Sequence, residues 1–212
     1  MSAAAAVALS VAGFFALGDW WARARRSTLV EYVCKPATMA ALVAVAVVLH
    51  PAAGLTSRRD WFVAALVLSL LGDVLLMVPG DRFVAGLAAF LAAHLCYIAG
   101  FFLPGPSAPG FAVAGAVVLV LVAPVARRIL RALRSHRSLR GPVAAYITAI
   151  CVMVAAALSS GIPLAGTGAV LFAVSDSTIA WDRFVRPLRA APVAIMVTYH
   201  LGQAGLVLSL LH

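Results

Sequence analysis

Two neighbouring stretches of the chain decide its fold: residues 61–78, WFVAALVLSLLGDVLLMV, and residues 83–102, FVAGLAAFLAAHLCYIAGFF. Each is close to the roughly 20 mostly apolar residues that an α-helix needs to cross a bilayer. Each nevertheless carries an ionisable side chain, Asp73 in the first and His94 in the second. The pair therefore predicts a transmembrane helical hairpin with polar groups placed inside the membrane.

The rest of the chain repeats this alternation of long apolar stretches and short polar connections. Of its 212 residues, 64% are apolar and 11% are charged, and the mean hydropathy is +1.06. Soluble domains are about 45–50% apolar and about 25% charged. The short connections exclude a receptor ectodomain, a nucleotide-binding domain or a nucleic-acid reader. We predict an all-α, polytopic transmembrane bundle that forms one domain, with eight helices at residues 2–18, 32–49, 61–78, 83–102, 111–126, 142–159, 164–181 and 191–211.

The basic residues predict how these helices are oriented. The formal net charge is +9, and fifteen of the sixteen basic residues are arginines. Thirteen arginines lie in the connections that follow odd-numbered segments, so the positive-inside rule places both termini outside, in a bacterial inner (cell) membrane. The first segment has no basic residue before it and is expected to be a retained helix rather than a signal peptide. The arginines of residues 127–140 are expected to set orientation and contact anionic headgroups, with a regulatory or partner-binding role as the alternative.

Five ionisable side chains fall within the predicted spans, where each costs about 2.5–3.5 kcal/mol on insertion scales. Their positions along the segments place them at similar depths, so we predict one cluster in the inner half of the membrane, open to the cytoplasm. The ionisable members are Lys35, Asp73, His94, Asp176 and His200, and the uncharged polar residues near them are Tyr97, Tyr146, Ser175, Tyr199 and Gln203.

Some ionisable residues have simpler explanations. Lys35 lies near a span end, so its ammonium could snorkel to the interface or contact a substrate phosphate. His200 could be a hydrogen-bonded packing residue. The other acidic and histidine residues lie at span ends or in connections and are expected to be solvated: Asp19, Glu31, Asp60, Asp81, Asp182, His50, His136 and His212.

A weak internal similarity in the sequence suggests that the chain consists of two related halves. Asp73 is followed 21 residues later by His94, and Asp176 is followed 24 residues later by His200. Each half would contain four helices, so the halves, residues 1–105 and 106–212, would be parallel repeats of the kind known in membrane folds.

Five motifs spread over the chain are Lys35-Pro36, Ser69-x-x-Gly72-Asp73, His94-x-x-Tyr97, Gly168-Ala169-x-Leu171-Phe172-x-x-Ser175-Asp176 and Tyr199-x-x-x-Gln203. Together they resemble the YhhN family of lysoplasmalogenase-like integral membrane proteins. The resemblance implies hydrolysis of the vinyl-ether bond of a lysoplasmalogen, or a related lyso-ether lipid, to a fatty aldehyde and glycerophospho-ethanolamine or -choline. It makes Asp73 and Asp176 the leading catalytic candidates, and implies a lysophospholipid substrate, surrounding membrane lipids, no cofactor or metal, and no nucleic-acid or obligate protein partner.

The chemistry of a vinyl ether suits two carboxylates. Protonation of the alkene carbon gives an oxocarbenium-like cation that water captures, which requires an acid and a base in different surroundings, as in glycoside hydrolysis. Which aspartate is the acid stays open. His94 is expected to orient water or share the proton, Tyr97 and Tyr199 to bond the substrate oxygen, and Lys35 to meet the phosphate. Further substrate-binding candidates are Tyr146, Ser175 and Gln203.

Three other functions are compatible with some of these features. A proton-coupled small-molecule or lipid transporter would use intramembrane aspartate and histidine, but we expect the outer half of the spans to be free of ionisable groups, so that no polar path crosses the membrane. A zinc-dependent lipid hydrolase would use the two aspartates with His94 and His200, although the sequence has no HxxxH or HExxH spacing. No feature favours an inert membrane scaffold.

Overall fold

The structure of the protein is a computed structural model that describes residues 1–80 and 82–212. The expectation that Asp81 is solvated therefore lies outside the described residues. Within them the chain forms eight α-helices and no β-strand, which confirms the predicted all-α architecture. The helices are α1 (Ala3–Arg25), α2 (Thr28–Val48), α3 (Thr56–Met77), α4 (Phe83–Phe101), α5 (Ala108–Ala132), α6 (Arg137–Ser159), α7 (Pro163–Phe184) and α8 (Ala191–Leu208). All eight are long and apolar enough to span a membrane, and the protein is an integral, multi-pass membrane protein.

Several helices are longer than the apolar segments that predicted them. Helix α1 continues to Arg25 and α5 to Ala132, beyond the predicted ends at residues 18 and 126. Hydropathy falls where arginines begin, but the backbone hydrogen bonds of a helix continue into the polar headgroup region, where arginine side chains are solvated. Helix α7 is continuous through its polar run, where the Thr178 hydroxyl donates to the Val174 carbonyl at 2.7 Å.

Consecutive helices pair as hairpins, and α8 lies at the centre of the bundle. Besides α7, helix α8 contacts α1, α2 and α3, while α4 contacts α6. The α7–α8 contact is the closest, because a Cβ on Gly168 would lie 2.8 Å from the Leu206 nitrogen and 2.9 Å from the Gly202 carbonyl oxygen. Small residues let helix backbones approach in this way. The contact brings the polar residues of α7 and α8 into one interior.

Helix α5 is the least buried part of the bundle. In α5, which is described along its whole length, Val118 and Ile129 are the buried residues. The helix contacts α6 and, less extensively, α7. It is therefore a peripheral helix that leaves space on its inner side.

A buried arginine lies at the end of the bundle opposite the arginine-rich connections. Arg58 belongs to α3 and is only 4% exposed, although it precedes the predicted span at residues 61–78. Its guanidinium donates to the carbonyl oxygens of Gly100 at 3.1 Å and Pro104 at 3.2 Å. The last carbonyls of a helix lack partners within the helix and favour a cation, so the end of α4 stabilises Arg58 there.

Candidate active site

The first polar cluster in the interior is built around Asp73. The Lys35 ammonium on α2 lies 3.0 Å from Asp73 Oδ1, and the Tyr199 hydroxyl on α8 donates to Asp73 Oδ2 at 2.7 Å. All three residues are buried. We call Lys35, Asp73 and Tyr199 the Asp73 cluster. Charge-assisted hydrogen bonds of this kind are the strong ones in proteins, so the cluster stabilises an ionised carboxylate inside the bundle.

The second polar cluster is built around Asp176 on α7. The Tyr146 hydroxyl on α6 donates to Asp176 Oδ2 at 2.9 Å, and His94 Nε2 on α4 lies 3.4 Å from the same oxygen. His94 Nδ1 lies 2.7 Å from the Phe90 carbonyl oxygen. A carbonyl only accepts, so Nδ1 carries the hydrogen and donates it. We call Tyr146, His94 and Asp176 the Asp176 cluster.

The two clusters lie near each other but do not merge. The buried ring of Phe172 lies between them, 4.7 Å from the His94 ring and 5.4 Å from the Tyr199 ring, measured between centroids. The structure therefore brings the two predicted catalytic aspartates into one interior region with separate hydrogen-bond partners.

An apolar groove, which we call the α5–α7 groove, reaches Asp176. Its inner part is narrow, with a cavity volume of about 70 Å³, well below the range of about 300–1,000 Å³ of ligand pockets. The side chains of Asp176 and Tyr146 are in its wall, together with Phe90 and apolar residues of α5. Asp73 is not among the described residues that line it. Of the two aspartates, Asp176 is thus the one that lines the groove.

The remaining predicted site residues make structural contacts. Tyr97 donates its hydroxyl to Gln203 Oε1 at 2.5 Å, and Ser175 donates to the Ile195 carbonyl at 3.1 Å. Lys35 is engaged by Asp73, so the predicted phosphate contact of its ammonium stays a prediction. His200 Nδ1 accepts from the Trp20 indole at 3.1 Å, which matches its interpretation as a hydrogen-bonded packing residue.

Asp19 is the ionisable residue that the sequence analysis misplaced. It was expected to be solvated, but it is 0% exposed in α1, and neither carboxylate oxygen has a hydrogen-bond partner among the described residues. Helix α1 packs against α2 so closely that a Cβ on Gly18 would lie 2.9 Å from Cys34 Sγ. The adjacent Trp20 also contacts the interior, where its indole donates to His200 of α8.

Other residues expected to be solvated behave differently from one another. Asp60 has a side chain that is 64% exposed, and all three outlying histidines are exposed, namely His50, His136 and His212. Glu31 pairs with Arg23 at 2.6 Å, and Asp182 accepts from the Leu188 amide at 2.6 Å. In the part of the chain that the structure describes, no group of three or more His, Cys, Asp or Glu residues is close enough to hold a metal ion.

The structure is an eight-helix membrane bundle with two buried carboxylate clusters, one of which lines an apolar groove. The protein is therefore an integral membrane protein with carboxyl groups buried among its helices. The model of the YhhN family matches residues 30–210, and the chain belongs to that family. It is 42% identical over 172 residues to proteins named lysoplasmalogenase from Mycobacterium bovis and Mycobacterium tuberculosis. It is 37% identical over 164 residues to a protein named lysoplasmalogenase from Homo sapiens.

The matches cover part of each protein. They include 77% of this chain, 64% of the two mycobacterial proteins and 68% of the human one. The matched region thus spans slightly less than two thirds of the mycobacterial relatives' length. No solved structure matches the chain.

Proposed function

We propose that this chain hydrolyses the vinyl-ether bond of a lysoplasmalogen or a related single-chain ether lipid. The products would be a fatty aldehyde and glycerophospho-ethanolamine or glycerophosphocholine. The observation that carries the proposal is that Asp176 and Tyr146, which are hydrogen-bonded to each other, line a largely apolar groove. Membership of the YhhN family and the lysoplasmalogenase names of the relatives support it. The site would lie toward the cytoplasmic side of a bacterial inner membrane, with both termini outside.

Asp176 is the acid in this proposal. Since His94 donates Nδ1–H to a carbonyl, its Nε2 presents a lone pair to Asp176 when the ring is neutral. Two lone pairs facing each other at 3.4 Å would repel, so one proton belongs between these atoms, on Asp176 or on His94 Nε2. A buried proton next to the groove is what protonation of a vinyl-ether carbon requires.

Asp73 is the base. The Lys35 ammonium and the Tyr199 hydroxyl both donate to its carboxylate, which favours the ionised form that can accept a proton from water. The ring of Phe90 lines the groove and lies 5.9 Å from the Tyr199 ring, so it stands between the groove and Asp73. Displacement of this ring by a bound lipid would open Asp73 to the reacting atoms.

The two aspartates then exchange roles, and every proton is accounted for. Asp176 gives its proton to the alkene carbon, and the ether carbon becomes an oxocarbenium ion. Water adds to that carbon and loses a proton to Asp73, which gives a hemiacetal. In the second half, Asp73 returns its proton to the glyceryl oxygen as the C–O bond breaks, and Asp176 takes the hemiacetal proton. Aldehyde leaves, and both carboxyls are restored without any net proton change.

The test is aldehyde release from lysoplasmalogen by purified protein and by Asp176→Asn and Asp73→Asn. Each substitution should lower turnover at least about 100-fold, since acid and base catalysis contributes about 10²–10⁴-fold. Asp60→Asn, an exposed carboxylate on the same helix as Asp73, is the matched control. Folded variants with near-normal turnover would refute the two-aspartate scheme.

Two further measurements separate this reaction from its alternatives. A panel of lyso-lipids, assayed for aldehyde and for free fatty acid, distinguishes ether hydrolysis from ester hydrolysis. In D₂O, the scheme places one deuterium on the carbon next to the aldehyde carbonyl. Stoichiometric zinc in active protein would contradict the metal-free scheme and favour a zinc-dependent hydrolase.

A further inference from the structure

We propose that Arg186 binds the phosphate of a single-chain phospholipid whose tail lies in the α5–α7 groove. The inference rests on the proposed function, because it concerns how the same substrate is positioned in the same site. It assigns the headgroup contact to a residue of the α7–α8 connection instead of Lys35.

The groove continues past the catalytic pair toward the arginine-rich end of the bundle. A second, more open cavity adjoins the inner one and shares its walls at Val122, Val125, Ile150, Ala173 and Ser177. The two cavities therefore form one groove between α5 and α7, over α6. Polar side chains in the wall of the second cavity come mainly from α7 and its end: Ser177, Thr178, Trp181 and Arg186.

Arg186 is the cation that lines this groove. Its backbone is fixed where α7 ends, because its amide donates to the Trp181 carbonyl at 3.1 Å. Its side chain is exposed, and no carboxylate of the described residues forms an ion pair with it. An unpaired guanidinium at the edge of an apolar groove matches a phosphate, which it can bind through two parallel hydrogen bonds. Trp181 beside it suits the membrane–water interface.

The spacing of residues along α7 predicts where the phosphate, the vinyl ether and the tail of such a lipid lie. Asp176 lies eight residues before the end of α7 at Phe184, which is about 12 Å of helix. The Arg186 side chain, two residues further on, is long enough to cover part of that distance. The glycerol of a lysoplasmalogen separates its phosphate from its vinyl ether by three carbons. A phosphate at Arg186 therefore places the vinyl ether within reach of Asp176 and leaves the tail beyond it.

The far part of the groove is apolar and long enough for a fatty chain. From Val170, whose side chain also lines it, to the end of α7 at Phe184, the groove follows about 21 Å of helix. Its other walls in this part are Val117, Leu121, Val154 and Leu158. Val117 and Leu121 are 49% and 71% exposed, so the groove is open sideways to the bilayer.

Other basic residues do not fit this position. Lys35 is buried and paired with Asp73. The arginines of the α5–α6 connection line separate surface depressions, which contain Arg127, Arg131, Arg134, Arg137 and Arg140. Arg186 is the basic residue that shares a cavity wall with the tail-binding side chains.

Binding of two alkyl-ether lipids that lack a vinyl bond tests the inference without requiring hydrolysis. One carries a phosphoethanolamine headgroup and the other is the matching alkylglycerol without phosphate; both are measured on purified protein by native mass spectrometry. The intact protein should prefer the phospholipid at least tenfold. Arg186→Gln should reduce that preference to below threefold, whereas Arg189→Gln, an exposed arginine three residues later, should retain it.

The tail contact has its own variant. Val174 lines the groove and is 46% exposed, so Val174→Trp can be tolerated by the fold while it narrows the groove. This substitution should weaken the binding of both lipids at least tenfold. An unchanged phosphate preference in Arg186→Gln, or undiminished binding of both lipids to Val174→Trp, would overturn the inference. Failure of the intact protein to release aldehyde would instead refute the proposed hydrolysis and leave these binding results interpretable.

Discussion

The ion pair of Lys35 and Asp73 makes the stability of the fold depend on two charges held together inside the membrane. The two side chains are 7% and 2% exposed, and the charged atoms lie 3.0 Å apart. Asp73→Asn would leave a buried ammonium without its carboxylate, which costs about 3–5 kcal/mol in buried pairs. Lys35→Met should cost less, because a carboxyl can take up a proton and retain its hydrogen bond with Tyr199. The double variant contains neither charge and should recover most of the loss.

The measurement is a double-mutant cycle, with free energies of unfolding from reversible titration by denaturing detergent and helicity followed by circular dichroism. We expect a coupling energy of about 3 kcal/mol or more for Lys35 and Asp73. Arg59 and Asp60 form the control pair, because they are also 3.0 Å apart but their side chains are 27% and 64% exposed. Exposed pairs contribute about 0–1 kcal/mol. A Lys35–Asp73 coupling no larger than that of the control pair would refute the reasoning.

Three further predictions concern helix packing and hydrogen bonds between helices. Gly168→Ala should destabilise the protein by about 1–3 kcal/mol, because the new methyl group would meet backbone atoms of α8 that cannot move aside. Gly115→Ala, with open space at its Cβ, should be neutral or slightly stabilising in the same detergent titration. Trp20→Phe should cost about 0.5–1.5 kcal/mol through the lost hydrogen bond to His200, and an unchanged stability would show that the bond contributes nothing. Arg58→Met should lower the thermal midpoint of unfolding, since the carbonyls of Gly100 in α4 and of Pro104 beyond its end lose the hydrogen bonds that the guanidinium donates; an equal or higher midpoint would contradict the assigned role.

The hydropathy of single segments predicted the helical architecture well. Eight apolar segments of spanning length became eight helices, because a chain in lipid must satisfy its backbone hydrogen bonds within each segment. The intramembrane carboxylates could be identified for the same reason, since the cost of placing them in hydrocarbon makes them rare and conspicuous. Neither inference requires knowledge of which helices touch.

The two aspartates were also expected to lie in one region, but their partners could not be deduced. The suggested repeat relates Asp73 to Asp176, and His94 to His200. In the structure each aspartate instead contacts a residue of the other half: Asp73 bonds Tyr199, and Asp176 faces His94. Helix neighbours depend on the packing of whole helices, which local spacing does not encode. The division into two repeats stays a prediction.

The sequence by itself determined that this chain is a helical membrane protein, approximately where its spans lie and that the ionisable side chains inside those spans are buried, because hydropathy and insertion cost act on each segment separately. Tertiary structure alone decided that Asp19 and Arg58 are buried, that Lys35 is engaged by Asp73, and that the α5–α7 groove meets Asp176. These features arise where residues far apart in the chain come within a few ångströms. Contact at that range depends on how closely the helix backbones pack, as the glycines of α7 and α8 illustrate.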